Sequence, residues 1–287
     1  MPDQDKNTNA ERLLPLVEKI PAFSQSVSRV LSLASDINCS PKVLVEVVSG
    51  DPVLTMKILR LVNSAYFGLP NKITSVHQAL VNLGLNTLKH TALSLAMLGV
   101  LPRKNDAGLD IDALWLHSLA VGLAARRLAQ AKGVPKAESE DYFVAGLLHD
   151  VGKLVYASYE PARFARALET AALDQVDLTV PERAELGATH AEVGALLAER
   201  WGLAEPLRLA LAGHHAPSDE TPAMLTDVVF VANQVVKRKN LGFSGNPALT
   251  PMPAGVRERL TLTAEAVGAA LEELPLELQN ARVILQL

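Results

Sequence analysis

A histidine followed directly by an aspartate, His149-Asp150, stands within the run Ala145-Gly-Leu-Leu-His-Asp-Val-Gly-Lys153. A neutral imidazole beside a carboxylate can bind one hard metal ion from a single helical turn. His117, His190, His214 and His215 each stand in otherwise apolar stretches of helical pattern, so five of the chain's 7 histidines fall in one constellation. Core packing does not ask for this, because a buried imidazole without a partner or a metal leaves a ring nitrogen unsatisfied.

Donors drawn from separate helices converge naturally in a bundle core. There the Asp150 carboxylate could bridge two ions while the histidines take the outer positions. Cys39 is the one cysteine, so thiolate ligation and a disulfide framework are excluded. Five imidazoles suit one or two divalent transition-metal ions, iron first, with manganese, nickel or zinc as alternatives, better than calcium or magnesium. Two such ions about 3.5–4 Å apart would activate a water and clamp a phosphoryl group. Asp150 and Lys153 would then be the catalytic residues, Lys153 meeting a phosphate oxygen or orienting the water. Its alternative reading is a surface lysine near a helix end. Each histidine alone also has a structural reading: a bond to a carbonyl for His117, a helix terminus for His190, an exposed dipole-favoured pair for His214-His215. His77 and His90 fall among the first hundred residues and are read as structural.

A chain of 287 residues has room for a substantial core. With 49% hydrophobic residues but only 4% aromatic, that core must be built of Ala, Leu and Val, which favours helices packed through small side chains. The net charge of −4 supplies no broad attraction for nucleic acid or anionic membranes, so neither is expected as a partner. The N-terminus is polar and no stretch reaches the length of a membrane span. A cytoplasmic protein with a disordered start over 1–12 is expected.

The elements that must position these groups read as helices, with no sustained period-two alternation. Ser40-Pro41 and Asp51-Pro52 each pair an N-cap with proline at the first helical position, and Gly50 closes the first of these helices. Ser75 caps a helix ending near Gly84, and Asn86 caps the next. Residues 13–101 thus form five or six helices. The polar run 102–108 marks a junction to a second subdomain over 107–240. There helices are expected over 111–132 with His117, 142–156 with His149-Asp150, and 161–173. Pro181 opens a helical region leading through His190 to Trp201, Pro206 starts a helix ending at Gly213-His214-His215, and a last helix spans 224–237. The tail over 241–287 should hold loops to Pro253, then one or two amphipathic helices between 254 and 278.

His117, His149-Asp150-x-Gly152-Lys153, Thr189-His190-Ala-Glu-Val-Gly194 and Gly213-His214-His215 resemble the HD superfamily of metal-dependent phosphohydrolases, in an order and spacing close to the HD-GYP branch. The N-terminal part resembles a narrower family. Ile20-Pro21-Ala-Phe23, Gly50-Asp51-Pro-Val-Leu-Thr55, Leu59-Arg-Leu-Val-Asn-Ser-Ala-Tyr-Phe-Gly68, Ile73-Thr-Ser75 and Leu83-Gly84-Leu-Asn look like the HDOD domain, a related all-helical output domain of bacterial signalling proteins. The similarity runs from about 13 to 237. It implies an all-α, multi-helix bundle of HD-like architecture with an N-terminal helical subdomain. It also implies binding of at least one ion by His149, Asp150, His190, His214 and His215, with His117 completing the set. Two departures stand out. Where HD enzymes place a final Asp, this chain has Asn233, an uncharged and weaker ligand, so the subsite of His117 and His149 should hold metal less tightly. Asp227, six residues earlier, lies on another part of that helix. His215 is followed by Ala-Pro-Ser-Asp-Glu with no Gly-Tyr-Pro, which argues against hydrolysis of cyclic di-GMP.

Two function classes remain open on the sequence. The first is a regulatory HDOD module that retains an HD-type metal site and acts through contacts with signalling proteins. The second is a metal-dependent phosphohydrolase or phosphodiesterase acting on a nucleotide or other phosphate-containing ligand. A third, DNA binding through a helix-turn-helix over 75–101, fails on the composition of its second helix, which is mostly apolar with one Lys and one His.

Overall fold

A computed structural model describes residues 13, 15, 16, 18–20, 25–36, 38–100 and 105–286. The expected disordered start, the Pro21-Ala-Phe23 motif and the first part of the 102–108 junction lie outside the described residues. The fold is all-α, with no strand among the described residues. No helix there is long and apolar enough to cross a membrane.

Among the described residues from 25 to 100 there are five helices: α1 (Gln25–Ser35), α2 (Pro41–Ser49), α3 (Pro52–Val62), α4 (Val76–Leu83) and α5 (Leu85–Val100). Their starts follow local chemistry. Asp51 accepts from the amides of Val53 and Leu54 with Pro52 in the first turn, and Ser75 accepts from the Gln78 amide. Ser40 occupies the cap position of α2 without a side-chain bond. Asn86 is not a cap: α5 begins one residue earlier, because Gly84, at φ 81°, already offers its carbonyl to the Leu88 amide. Residues 88–98 of α5 are all buried, so this helix packs and does not read a groove.

Asp51 also accepts from Ser26 Oγ at 2.5 Å, tying α3 to α1. Bonds from the Leu54 amide and Ser26 hold its carboxyl below the ordinary value. Its stabilisation is therefore present above the unfolded carboxylate range and lost as pH falls through the lowered value. Asp51→Ala is expected to lower stability by about 1 kcal/mol at neutral pH and by less in acid, as read by urea denaturation at the two pH values.

The remaining helices surround α6 (Ile111–Ala131), which is buried along most of its length. α7 (Ser139–Leu148) lies against it most extensively. At their crossing, a Cβ on Gly146 would lie 2.6 Å from Gly122 Cα, so the two backbones touch where both residues lack a side chain. Beyond follow α8 (Val151–Tyr159), α9 (Pro161–Asp174), α10 (Thr179–Leu186), α11 (His190–Arg200), α12 (Glu205–Gly213) and α13 (Met224–Arg238). The helical region opened by Pro181 is broken in two at Gly187, which adopts φ 79°.

The tail departs from the expected one or two helices. It forms α14 (Ala254–Leu260), α15 (Ala264–Ala270), α16 (Leu274–Ala281) and a 3₁₀ turn, Arg282–Gln286. Thr261 in the left-handed region ends the first, Thr263 caps the second, and Pro275 sits in the first turn of the third. α15, α16 and the 3₁₀ turn all pack on α6. His90 on α5 meets Asp141 on α7 at 2.7 Å, linking the N-terminal helices to the rest, whereas His77 is exposed.

Candidate metal centre

His149-Asp150 does not sit within one helix, as the 142–156 pattern suggested. α7 ends at Leu148, Asp150 departs from helical geometry at φ −97° and ψ 9°, and α8 starts at Val151. The doublet lies at this bend, which turns its side chains inward. α11 is brought to it by a glycine: a Cβ on Gly152 would stand 2.0 Å from the His190 carbonyl oxygen and 2.9 Å from the Gly194 amide nitrogen. The first turn of α11 thus rests on α8 backbone to backbone. Thr189 fixes that turn, with Glu192 closing a reciprocal capping box. His214 and His215 follow the C-terminal end of α12, while His117 and Asn233 lie within α6 and α13.

These side chains converge on Asp150, whose two oxygens face different histidines. Oδ1 lies 3.1 Å from His190 Nε2 and 3.6 Å from His214 Nε2, and Oδ2 lies 3.3 Å from His149 Nε2 and 3.9 Å from His117 Nε2. His190 Nε2 is 3.3 Å from His214 Nε2 and 3.0 Å from His215 Nε2. The donors fall into two groups sharing Asp150, one with His190, His214 and His215 and one with His117 and His149, within 4.8 Å in each. Two ligands at about 2.1 Å in tetrahedral geometry lie about 3.4 Å apart, so the spacing suits a small divalent ion.

Hydrogen bonds on the far side of three of the rings decide which nitrogen faces inward. His149 Nδ1 donates to the Gly146 carbonyl at 2.7 Å and His214 Nδ1 to the Leu211 carbonyl at 2.8 Å, and His190 Nδ1 meets Glu182 Oε2 at 2.7 Å. A carbonyl or carboxylate only accepts, so Nδ1 carries the proton and Nε2 presents a lone pair to the centre. The consequence is a buried cluster of acceptors facing one another. His149 Nε2 and Asp150 Oδ1 are buried with no hydrogen-bond partner. Such orphaned acceptors disfavour burial unless a cation lies among them, and a transition-metal ion fits both the donor set and the orphans.

Electrostatics favour neutral rings at His117 and His214 and run the opposite way at His190. Burial alone would raise the Asp150 carboxyl, but His149 and Lys153 offset this and hold it well below the ordinary range. Burial, reinforced by His215, keeps His214 neutral. Burial with His149 lowers His117 to about 3. His190 runs the other way: burial opposes its charge, and the Glu182 carboxylate raises it nonetheless.

Lys153 is no surface lysine. It is 1% exposed, and its ammonium donates to Asp150 Oδ2 at 2.8 Å and to the Ser244 carbonyl at 3.0 Å. Asn233 Oδ1 lies 3.1 Å from His117 Nε2. Asp227 is turned away and accepts from Arg259 at 2.6 and 2.9 Å.

Four contributors were missed in the sequence. Glu182 grips both the ring and the backbone amide of His190. Asp177 Oδ2 lies 3.3 Å from His215 Nδ1 and accepts from Asn246 at 3.0 Å. Ser244 and Asn246, both 3% exposed, belong to the tail loop, which folds back over the centre. Gly242, at φ 76°, makes the return possible: a Cβ there would meet the His117 amide nitrogen at 2.3 Å. The Gly-Phe-Ser-Gly-Asn run at 242–246 was the available signal, since clustered glycines mark close backbone approach as readily as a loose loop.

A sequence model of the HDOD domain matches residues 20–217, more than half of the chain, and the chain belongs to that family. Over 230 residues, 77% of this chain, it is 30% identical to an uncharacterized protein of Treponema pallidum (strain Nichols). It spans 44% of that relative's length. A solved HDOD domain protein of unknown function from Geobacter sulfurreducens is 25% identical, with 96% of each chain covered and a TM-score of 0.80. A Shewanella amazonensis structure named "Putative phosphohydrolase" is 26% identical, with 96% of this chain and 97% of the other covered and a TM-score of 0.77.

Proposed function

We propose that this chain is a metal-binding regulatory module of a bacterial signalling system, working in the cytoplasm through contacts with signalling proteins. The observation that carries the reading is that the donors are enclosed, with His215 alone of the five at a partly exposed edge. His149, His190 and His214 are 0% exposed, and the Lys153 ammonium is engaged by Asp150 and by the loop that covers it. A phosphoester reaching the donors would have to displace that loop. His149, Asp150, His190, His214 and His215 would hold an ion, iron first, with manganese, nickel or zinc as alternatives. When bound, such an ion supplies Lewis acidity toward water or a phosphoryl oxygen. Glu182 and Asp177 orient the rings of His190 and His215, Lys153 balances the Asp150 charge, and residues 242–246 exclude solvent.

One observation favours a second reading, a metal-dependent phosphohydrolase acting on a nucleotide or other phosphoester. Each oxygen of Asp150 faces its own set of histidines, the arrangement a bridged pair of ions requires. Lys153 and Asp150 would then be its catalytic residues. The discriminating experiment is elemental analysis of protein purified without chelators or affinity-resin metal, followed by a phosphoester and nucleotide panel with iron or manganese added. The regulatory reading expects bound transition metal and hydrolysis no faster than that of Asp150→Asn protein. Turnover at ordinary enzyme rates that vanishes in the variant would replace it with the second reading.

Asn233→Asp tests the weaker subsite. The carboxylate would add a charged donor beside His117 and face Asp150 across the group, so two like charges would stand close unless an ion lies between them. The expected result is a rise in retained metal from about one to about two ions per chain, read by elemental analysis.

A further inference from the structure

We propose that the crevice between the N-terminal helices and α6 is a binding site for a mononucleotide. A cavity of about 430 Å³ opens there, its walls including Tyr66, Phe67, Asn82, Thr87, Arg127 and Lys136. None of its lining residues belongs to the histidine cluster, and its volume suits a small organic ligand. It absorbs a motif that the metal centre leaves unexplained, the Asn63-Ser-Ala-Tyr-Phe-Gly68 run after α3.

The lining divides by chemistry as a nucleotide divides. Tyr66 and Phe67 stand edge to face with ring centroids 5.0 Å apart, offering an aromatic wall for a planar base. Thr87, Asn82 and Gln130 supply donors and acceptors for base and sugar edges. Lys136 is exposed at the cavity, and Arg127 also lines it, with one of its guanidinium nitrogens on Glu273 at 3.1 Å. The Glu273 side chain is 73% exposed, and so solvated a pair contributes little. A phosphate can therefore take its place on Arg127 with small loss and gain charge-assisted bonds from Arg127 and Lys136. The two carboxylates that also line the cavity, Glu140 and Glu277, are held by Arg126, with Glu277 bonded to Arg127 as well. Arg127 keeps its second carboxylate, Glu277, throughout.

A second observation points the same way. A narrower cavity shares Tyr66, Phe67, Thr87, Arg126 and Glu140 with the first, and is also lined by Ser94. The Ser94 Oγ is buried there without a hydrogen-bond partner. An unmet buried hydroxyl is unfavourable, and a ligand polar group entering this recess would satisfy it. The position gives the ligand leverage. Arg126 donates to Tyr66 Oη at 2.7 Å and to Glu277 at 2.5 Å, so one guanidinium ties the N-terminal part, α6 and α16 together under the cavity.

Isothermal titration of the full chain with AMP, GMP, CMP and UMP tests this, with the matching nucleosides and inorganic phosphate as separate probes. At least one nucleotide should bind at or below about 0.1 mM, its nucleoside and phosphate alone each at least about tenfold more weakly. Lys136→Glu and Asn82→Ala, both at exposed positions, should each weaken binding, the first by about tenfold. Chelated and metal-loaded protein should bind alike. The proposal is overturned by the absence of binding up to about 5 mM, by phosphate binding as well as the nucleotide, by indifference to both substitutions, or by a requirement for metal, which would move the ligand to the histidine cluster.

Discussion

Asp150→Asn is expected to abolish retained metal and, in the chelated protein, to lower stability by about 3 kcal/mol. Both effects come from one carboxylate with two duties. Its oxygens are the meeting point of the two donor groups, so loss of its charge removes the anion shared by every ligand. Oδ2 also accepts from the buried Lys153 ammonium. An amide oxygen can still accept that bond but leaves the cation without a counter-charge at 1% exposure, which places the loss at the lower end of the range for breaking a buried pair. The two effects separate in the double variant Asp150→Asn with Lys153→Met, where removal of the unpaired charge should restore most of the stability and none of the metal. Elemental analysis and urea denaturation under chelation measure the two independently, since bound metal would otherwise add its own stabilisation. The acid limb carries a further sign. The Asp150 carboxyl is held below its ordinary value, so its contribution is present above the unfolded carboxylate range and lost as pH falls through the lowered one. The variant should therefore lose less than the parent on acidification. Full metal retention in Asp150→Asn protein would remove the centre from any account of this chain.

Most of the fold was legible because helix boundaries are written locally. Asp51-Pro52, Ser75 and Gly84 act through bonds to amides no more than four residues away, and their helices begin and end as expected. Errors fell where a local signal had a competitor. Asn86 lost its cap role to the Gly84 carbonyl, and the apolar run over 142–156 hid a bend at Asp150 because residues 143–157 are buried on both sides of it. The inward-facing residues of the centre were legible as residue types: a histidine in an apolar helix is anomalous wherever it stands. Their supports were not. Glu182 and Asp177 are ordinary acidic residues by composition, and only the tertiary return of α10 and of the loop at 242–246 makes them partners of His190 and His215. Residues 241–253 form the loop expected of them, but its seat against α6 is not legible, because glycine, asparagine and proline do not distinguish a free segment from one held against a helix.

Gly152→Ala should be severely damaging, and the reason lies in that same tertiary level. The added Cβ would be 2.0 Å from the His190 carbonyl oxygen, 2.8 Å from its carbonyl carbon and 2.9 Å from the Gly194 amide nitrogen. All three are backbone atoms, so no side chain can swing aside, and α8 and α11 must part by more than an ångström. That movement would carry His190 away from Asp150, two residues before the substitution, and loosen the packing of both helices. The expected loss is about 4 kcal/mol or more, beyond ordinary overpacking, together with loss of metal. Gly194→Ala is the matching control on the opposite helix. Its Cβ would meet Val151 Cγ1 at 3.4 Å and the Gly152 amide at 3.6 Å, ordinary contact distances, while alanine gains helix propensity of about 1 kcal/mol. It should change stability by no more than about 1 kcal/mol in either direction and keep its metal. Urea midpoints of the two variants under chelation, with metal content measured beforehand, give the comparison. If both behave alike, the glycine of the His-Asp-x-Gly-Lys run does not set the spacing between these helices, and the geometry of the centre must be fixed by the capping box and Glu182 instead.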